Sequence, residues 1–257
     1  MSLSAKTVLV TGASRGLGLE FVRQLLALPK PPEVLIAACR DPEKAEDLQS
    51  LAKSNRAVRV VKLDVEKDED IEKAVKVISG YVGEKGLNLL INNAAILSRQ
   101  IQGVLTDVTR TILQEHFNVN VSSPVILTQK FLPLLRKAAS FSGTKELSAS
   151  KAAVVMISAI LGSQSSQDTL HPGHSFMPYK LSKTALNMAT VLAARELRSD
   201  GILVTALHPG WVKTDMGTSA APLTAEESIK DCLQAIAKAG EESNGKLIDF
   251  KGNILPY

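Results

Sequence analysis

The stretch that decides the fold reads Thr7-Val8-Leu9-Val10-Thr11-Gly12-Ala13-Ser14-Arg15-Gly16-Leu17-Gly18. Its first five residues are apolar or β-branched throughout. Strands of that kind are buried on both faces, as parallel strands covered by helices are. A glycine loop follows, then an amphipathic segment from Gly16 to Leu28. Glycine permits positive φ and close approach of the backbone to a neighbour. A helix that starts at such a loop points free amides and the positive end of its dipole into it. A pyrophosphate suits that environment. A tight turn that merely needs small residues explains the loop as well, and taken alone it leaves both open. The spacing is not G-x-G-x-x-G.

Outward from this stretch, short apolar runs alternate with longer amphipathic ones. Strands are expected over residues 34–39, 58–63, 87–91, 152–157, 202–207 and near 246–250. Helices are expected over 42–53, 67–81, 106–120, 124–139, from about 178 to Arg198, and over 225–239. Pro29, Pro31 and Pro32 end the first helix, because proline lacks the amide and clashes with the preceding turn. Residues 140–151 read as a surface insertion, and residues 161–177 as a loop rich in Ser, Gln, Gly and Pro. Such alternation implies right-handed crossovers and an α/β, Rossmann-like, doubly wound parallel sheet flanked by helices. No repeat or linker divides the chain, so residues 1–257 are expected to form a single domain. The ligand should sit beyond the carboxyl ends of the strands, at the topological switch point.

Composition narrows the classes. The chain has 257 residues, 45% hydrophobic and 22% charged, which excludes intrinsic disorder. Its two cysteines, Cys39 and Cys232, cannot build a disulfide framework or a structural zinc site. His171 and His174 share a loop with no clustered Cys or carboxylate, so no metal is expected. No apolar run approaches the ~20 residues that span a bilayer. The short polar N-terminus is not a signal peptide. A cytoplasmic protein with no membrane partner is the expectation. The net charge of +4 suits an anionic small molecule or simply a solvated surface. Lys/Arg runs with interleaved aromatics are lacking, so nucleic acid is not an expected partner.

Tyr179 and Lys183 are four apart on an expected helix and share one face. A phenol with the ordinary pKa near ~10 is a poor base at neutral pH. A neighbouring ammonium favours the phenolate and lowers that value. The pair would then give a proton to a carbonyl oxygen as hydride arrives, or take it in reverse. A surface tyrosine beside a solvated lysine is the plainer account of the spacing; the position after the fifth strand favours chemistry. At the end of the second strand, where an acidic residue would select NAD, stand Cys39 and Arg40. Arg40, with Arg15 from the glycine loop, suits a 2′-phosphate, since arginine bonds phosphate in bidentate fashion. Two surface arginines are the alternative.

Four elements occur in order across almost the whole chain. They are Thr11 to Gly18, Asn92-Asn93-Ala94-Ala95, Tyr179 to Lys183, and Pro209-Gly210-Trp211-Val212 with Thr214. They resemble the T-G-x-x-x-G-x-G, N-N-A-G, Y-x-x-x-K and P-G-x-V-x-T elements of the short-chain dehydrogenase/reductase family. Ala38-Cys39-Arg40 and Leu161-Gly162-Ser163 make the chain most similar to the sniffer-type (C-factor-like) carbonyl reductases within it. The resemblance implies an NADP(H)-dependent oxidoreductase that reduces an aldehyde or ketone. It implies Tyr179, Lys183 and Asn120 as the catalytic set, with Lys183 also on the nicotinamide ribose and the Asn120 backbone holding a water of the proton path. Read by itself, Asn120 is a helix-terminal asparagine. The implied cofactor residues begin with Gly12, Ser14, Arg15, Gly16, Leu17, Gly18 and Arg40. Asp64 would contact adenine, with Val65 adjacent, and Asn92 and Ala94 would flank the adenosine ribose. Pro209 and Gly210 complete the set with Val212 and Thr214, which would hold the nicotinamide carboxamide. Residues 161–177 and 213–224 would line the substrate pocket. A homodimer or homotetramer through helix packing is implied by the same analogy.

Besides Ala95 in place of the glycine of N-N-A-G, the chain departs from the family at the serine. S-S-x-x-G is replaced by Ser158-Ala159-Ile160-Leu161-Gly162, so Ala159 occupies the place of the catalytic serine. Neighbours in a strand point to opposite faces, so Ser158 should not substitute. Loss of one such hydrogen-bond donor costs ~10²–10³ in rate. Three outcomes stay open: weak activity, replacement by Ser163, Ser165 or Ser166, or an NADP(H)-binding sensor or scaffold with little turnover. An NAD-preferring alcohol dehydrogenase is a further alternative.

Overall fold

The computed structural model describes residues 3–98, 104–144, 146–167 and 176–257. Eight strands form one sheet: β1 (Thr7–Thr11), β2 (Val34–Cys39), β3 (Val58–Lys62), β4 (Leu89–Asn92), β5 (Ala153–Ile157), β6 (Leu203–His208), β7 (Leu247–Asp249) and β8 (Ile254–Leu255). Their order is β3-β2-β1-β4-β5-β6-β7-β8. All pairings are parallel except β7 with β8. The order reverses between β1 and β4, the switch point at which sheets of this kind take their ligand beyond the carboxyl ends. The α/β doubly wound sheet is thus present.

Among the described residues seven α-helices complete the layers: α1 (Gly16–Leu26), α2 (Glu46–Ser54), α3 (Asp68–Val82), α4 (Arg110–Phe117), α5 (Ser123–Phe141), α6 (Met177–Leu197) and α7 (Ala225–Lys238). Strand side chains alternate between two cores. Val8, Val10, Leu35 and Ile91 pack with Phe21 and Leu25 of α1, Leu48 of α2 and Ile236 of α7. Leu9, Ile36, Leu90 and Val154 pack with Ile78 of α3, Phe131 of α5 and Leu186 of α6. Both faces of the sheet are covered, which is why the central strands lack a polar side. Among the described residues, no helix is long and apolar enough to cross a membrane.

Several boundaries differ from the sequence expectation. The helices expected over 106–120 and 124–139 are one continuous rod, since a π-turn at Asn118–Ser122 joins α4 to α5. The helix expected over 42–53 is a 3-10 turn at Pro42–Lys44 followed by α2. Residues 140–151 are no loose insertion. Helix α5 runs to Phe141, and Leu147 and Ala149 are buried in the α1 and α7 core. The β8 strand was not expected; two residues carry no periodicity to detect.

Candidate active site

The glycine loop is shaped by main-chain constraints. Gly12 has φ +65°, a left-handed conformation that side chains disfavour. A methyl group at Gly18 would lie 2.1 Å from the Gly12 carbonyl oxygen, so only glycine fits. Gly16 opens α1, and Arg15 before it is extended and gives no side-chain cap. The first amides of α1 therefore get no partner from their own cap residue, which suits an anion. Ser14 lies partly exposed in this loop, and Leu17 packs back on the α1 core.

Asn93 fastens this loop across the switch point. Its Nδ2 donates to the Thr11 carbonyl at 2.9 Å and to the Gly12 carbonyl at 3.3 Å. In return, Thr11 Oγ1 accepts the amides of Asn93 (3.0 Å) and Ala94 (3.1 Å). Neither Thr11 nor Asn93 was among the expected site residues, although both lie inside the quoted motifs. Asn92 turns its side chain the other way, toward Thr128 and Met156. Its Oδ1 is buried with no hydrogen-bond partner among the described residues. Only the Asn92 main chain is therefore left to flank a ribose.

Both arginines are exposed and loosely paired. Arg15 stands 3.6 Å from Asp215, and Arg40 Nε 3.8 Å from Asp41. The end of β2 is thus not free of carboxylates, because Asp41 follows Arg40. Exposed pairs of this kind are worth ~0–1 kcal/mol, so a phosphate can displace them. The carboxylate of Asp64 accepts the Glu66 amide at 3.3 Å and pairs with Lys67 at 3.7 Å, holding the turn into α3 with Val65 between.

Tyr179 and Lys183 sit one turn apart near the start of α6, 8% and 2% exposed. Lys183 Nζ donates to the Ile157 carbonyl at the end of β5 at 2.7 Å and lies 5.5 Å from the centre of the Tyr179 ring. The expected acidification of the phenol is not found. Burial disfavours both charged forms, raising the Tyr179 pKa and lowering that of Lys183 to about 7. The ammonium faces a carbonyl and gains no anionic partner there.

Asn120 is fully buried within the π-turn, not at a helix terminus. Its amide pairs both ways with Ile96 (2.9 and 3.0 Å) and donates to Ser182 Oγ at 3.0 Å. Ser182 Oγ in turn donates to the Tyr179 carbonyl at 2.7 Å. Asn120 thereby joins the loop after β4 to the turn that bears Tyr179. Gly162 closes the other side: a methyl there would lie 2.6 Å from the Lys183 carbonyl carbon. Phe176, just before α6, is left-handed at φ 42°. Strain of that kind in a non-glycine residue costs ~1–3 kcal/mol and concentrates at functional sites.

Ala159 lies extended at the head of a 3-10 turn at Ile160–Gly162. Ser158 Oγ is turned to Asn187 Oδ1 at 2.6 Å. Ser163 and Ser166 bond each other at 2.8 Å, and Ser165 bonds the main-chain oxygen of Tyr257. The three candidate replacements are thus engaged elsewhere. His171 and His174, with the rest of residues 168–175 of the expected pocket loop, lie outside the described residues. Among the described residues no group of three His, Cys, Asp or Glu could hold a metal ion.

The Pro209 loop returns toward the glycine loop. Pro209 O accepts from Ser228 Oγ at 2.6 Å, and Gly210 adopts φ +85°. Val212 is buried and bridges to Leu223. Thr214 Cγ2 lies 3.6 Å from where a methyl on Gly16 would be, so this loop faces the start of α1. Trp211 is 54% exposed, with its indole N–H on the Gly217 carbonyl at 2.6 Å.

The family model for short chain dehydrogenases matches residues 6–224. The chain belongs to the short-chain dehydrogenase family. As a member it is an oxidoreductase, and it is similar over nearly its whole length to solved carbonyl reductases. One is the carbonyl reductase Sniffer of D. melanogaster, 37% identical over 98% of this chain and 100% of that one, with TM-score 0.94. Another is the NADPH-bound carbonyl reductase from chicken fatty liver, 38% identical over 99% and 100%, with TM-score 0.93. An uncharacterized oxidoreductase of Schizosaccharomyces pombe is 27% identical over 100% of both chains.

Proposed function

We propose that this short-chain dehydrogenase is an NADPH-dependent carbonyl reductase. The observation that carries the reading is the buried Tyr179–Lys183 pair, one turn apart on α6 and anchored to the carboxyl end of β5. The likeness to an NADPH-bound carbonyl reductase supports it. The residues fit a dinucleotide: a methyl at Gly18 would strike the Gly12 carbonyl and break the tight loop, α1 lacks a side-chain cap, and Arg15 and Arg40 stand exposed for a 2′-phosphate. NADPH bound there supplies hydride. Gly12, Ser14, Gly16, Leu17 and Gly18 would hold the pyrophosphate, Asp64 and Val65 the adenine, and Ala94 with the Asn92 main chain the ribose. Pro209, Gly210, Val212 and Thr214 would hold the carboxamide end.

Tyr179 is the proton donor to the carbonyl oxygen. With its pKa raised, the phenol stays protonated at neutral pH, which suits an acid. Lys183, poised near 7, can pass a proton at working pH and has donors left for ribose hydroxyls beyond its bond to Ile157. Asn120 holds the loop after β4 against the Tyr179 turn. A homodimer or homotetramer would cover Leu181, Met188 and Leu192, which are exposed on α6.

The test is an oxidation assay with NADPH and, separately, NADH, against a panel of aldehydes and ketones. Substrate-dependent oxidation of NADPH is expected. Tyr179→Phe should lose ~10²–10⁴ in rate while still binding NADPH. Ala159 favours a second reading, a cofactor-binding sensor. Tight NADPH binding with no oxidation of any carbonyl would establish that reading instead.

A further inference from the structure

The segment after β8 reaches back to the candidate active site. The β7–β8 turn is tied by Asp249, which accepts the amides of Lys251 (2.9 Å) and Asn253 (2.8 Å). Two residues past β8 stands Tyr257, partly buried. Its hydroxyl donates to the Gly245 carbonyl at 2.6 Å. Gly245 is itself fixed, because its N–H donates to the Val204 carbonyl at 2.8 Å, and it sits close to α6, where a methyl on it would lie 3.1 Å from Ala194 Cβ. The Tyr257 main-chain oxygen accepts from the Ser165 amide at 3.0 Å and from Ser165 Oγ. One end of Tyr257 is therefore anchored beside the sheet, and the other grips a residue 92 positions away.

Ser165 belongs to the described stretch, residues 158–167, that leaves β5 beside Lys183. Helix α6 holds the first part of that loop. Thr184 Oγ1 and Asn187 Nδ2 both donate to the Gly162 carbonyl, at 2.9 and 3.1 Å. Beyond Gly162, Ser163 and Ser166 bond each other, and Tyr257 ties Ser165 to the segment after β8.

We propose that Tyr257 is a positioning residue: it latches residues 163–167 through Ser165, so that this stretch presents a fixed wall to the carbonyl compound. The effect on catalysis rests on the reductase reading; the latch itself does not. Because the latch touches neither Tyr179 nor the glycine loop, its loss should act on substrate KM and not on kcat or NADPH affinity.

Two measurements on the full chain test this. Hydrogen exchange without substrate reads the latch: Tyr257→Ala keeps the main-chain oxygen that Ser165 bonds but loses the hydroxyl and ring that anchor it, so the Ser165 amide should exchange about tenfold faster, the lost bond to Gly245 being worth about that much. Steady-state kinetics reads its consequence: Tyr257→Ala should raise KM for reducible carbonyls about tenfold, with kcat and NADPH affinity unchanged. Tyr257→Phe, which loses only the bond to Gly245, should fall between wild type and Tyr257→Ala in both, and covers the case in which the alanine variant folds poorly. Unchanged exchange at Ser165 overturns the latch. Faster exchange with unchanged KM overturns its role in positioning. Should the wild type reduce no carbonyl, the reductase reading fails, and exchange at Ser165 still upholds or overturns the latch.

Discussion

The two sides of Lys183 are held by different kinds of force. On the cofactor side the shape is set by backbone: Gly12 needs positive φ, Gly18 has no room for a methyl, and Asn93 bonds main-chain carbonyls. Replacing those residues would break the loop itself. On the proposed substrate side, residues 158–167 are held by side-chain hydroxyls and by Tyr257. There the family serine is an alanine, and the turn forms regardless, since Ala159 takes an ordinary extended backbone. Residues that the fold requires match the family pattern. The serine replaced by Ala159 would have served only the chemistry.

The sharpest way to break that contrast is to restore the missing hydroxyl. Ala159→Ser places a donor on a backbone that already accommodates it. If the position served chemistry alone, kcat for carbonyl reduction should rise by ~10² with NADPH affinity and folding stability unchanged. A variant that is no faster, or that melts several degrees lower, would mean that the site has been rebuilt around alanine.

How far the sequence could be read follows the same divide. The strand runs were legible because burial on both faces leaves no polar position; all five residues of β1 are buried. The switch point and the glycine loop followed from order alone. The π-turn at Asn118–Ser122 was not legible, because one extra residue in a turn barely disturbs the apolar period. It is also what puts Asn120 in the interior, where a helix-terminal position was expected. Asn93 was passed over inside a quoted motif because its partners are main-chain atoms of another strand. The Tyr179–Lys183 pair was found by spacing, but its electrostatics were read with the wrong sign. Spacing shows that two groups are neighbours and says nothing of desolvation, which dominates here. The hold of Tyr257 on Ser165 spans 92 positions and leaves no local signal.

A smaller effect sharpens the cofactor side. Arg40 is exposed and faces Asp41 at 3.8 Å, a pair that a phosphate can displace. Hydrogen bonds to charged groups are worth ~1.5–3 kcal/mol, so Arg40→Asp should weaken NADPH by about ten- to a hundredfold while NADH is not weakened. Titration of the variant with both nucleotides decides it. Unchanged NADPH affinity would favour the NAD-preferring alternative and would leave the cofactor side defined by its loop alone.

An effect of similar size lies on the boundary between the two sides. Lys183 titrates at about 7 in the folded protein, against an ordinary value of 10.5, because burial disfavours its charge. Between those values the unfolded chain binds more protons than the folded one, so folding stability rises with pH across that window. From pH 7 to 9 the gain attributable to Lys183 is about 2 kcal/mol. Lys183→Met should be flatter by that amount in denaturant melts of ligand-free protein at the two pH values. Comparing variant with wild type cancels the buried thiols of Cys39 and Cys232, whose pKa values burial pushes up to about 11 and 12. Equal slopes in the two proteins would mean that the ammonium keeps its charge at pH 9. Lys183 would then act as a fixed cation beside the phenol, and proton supply at neutral pH would have to come from Tyr179 and solvent.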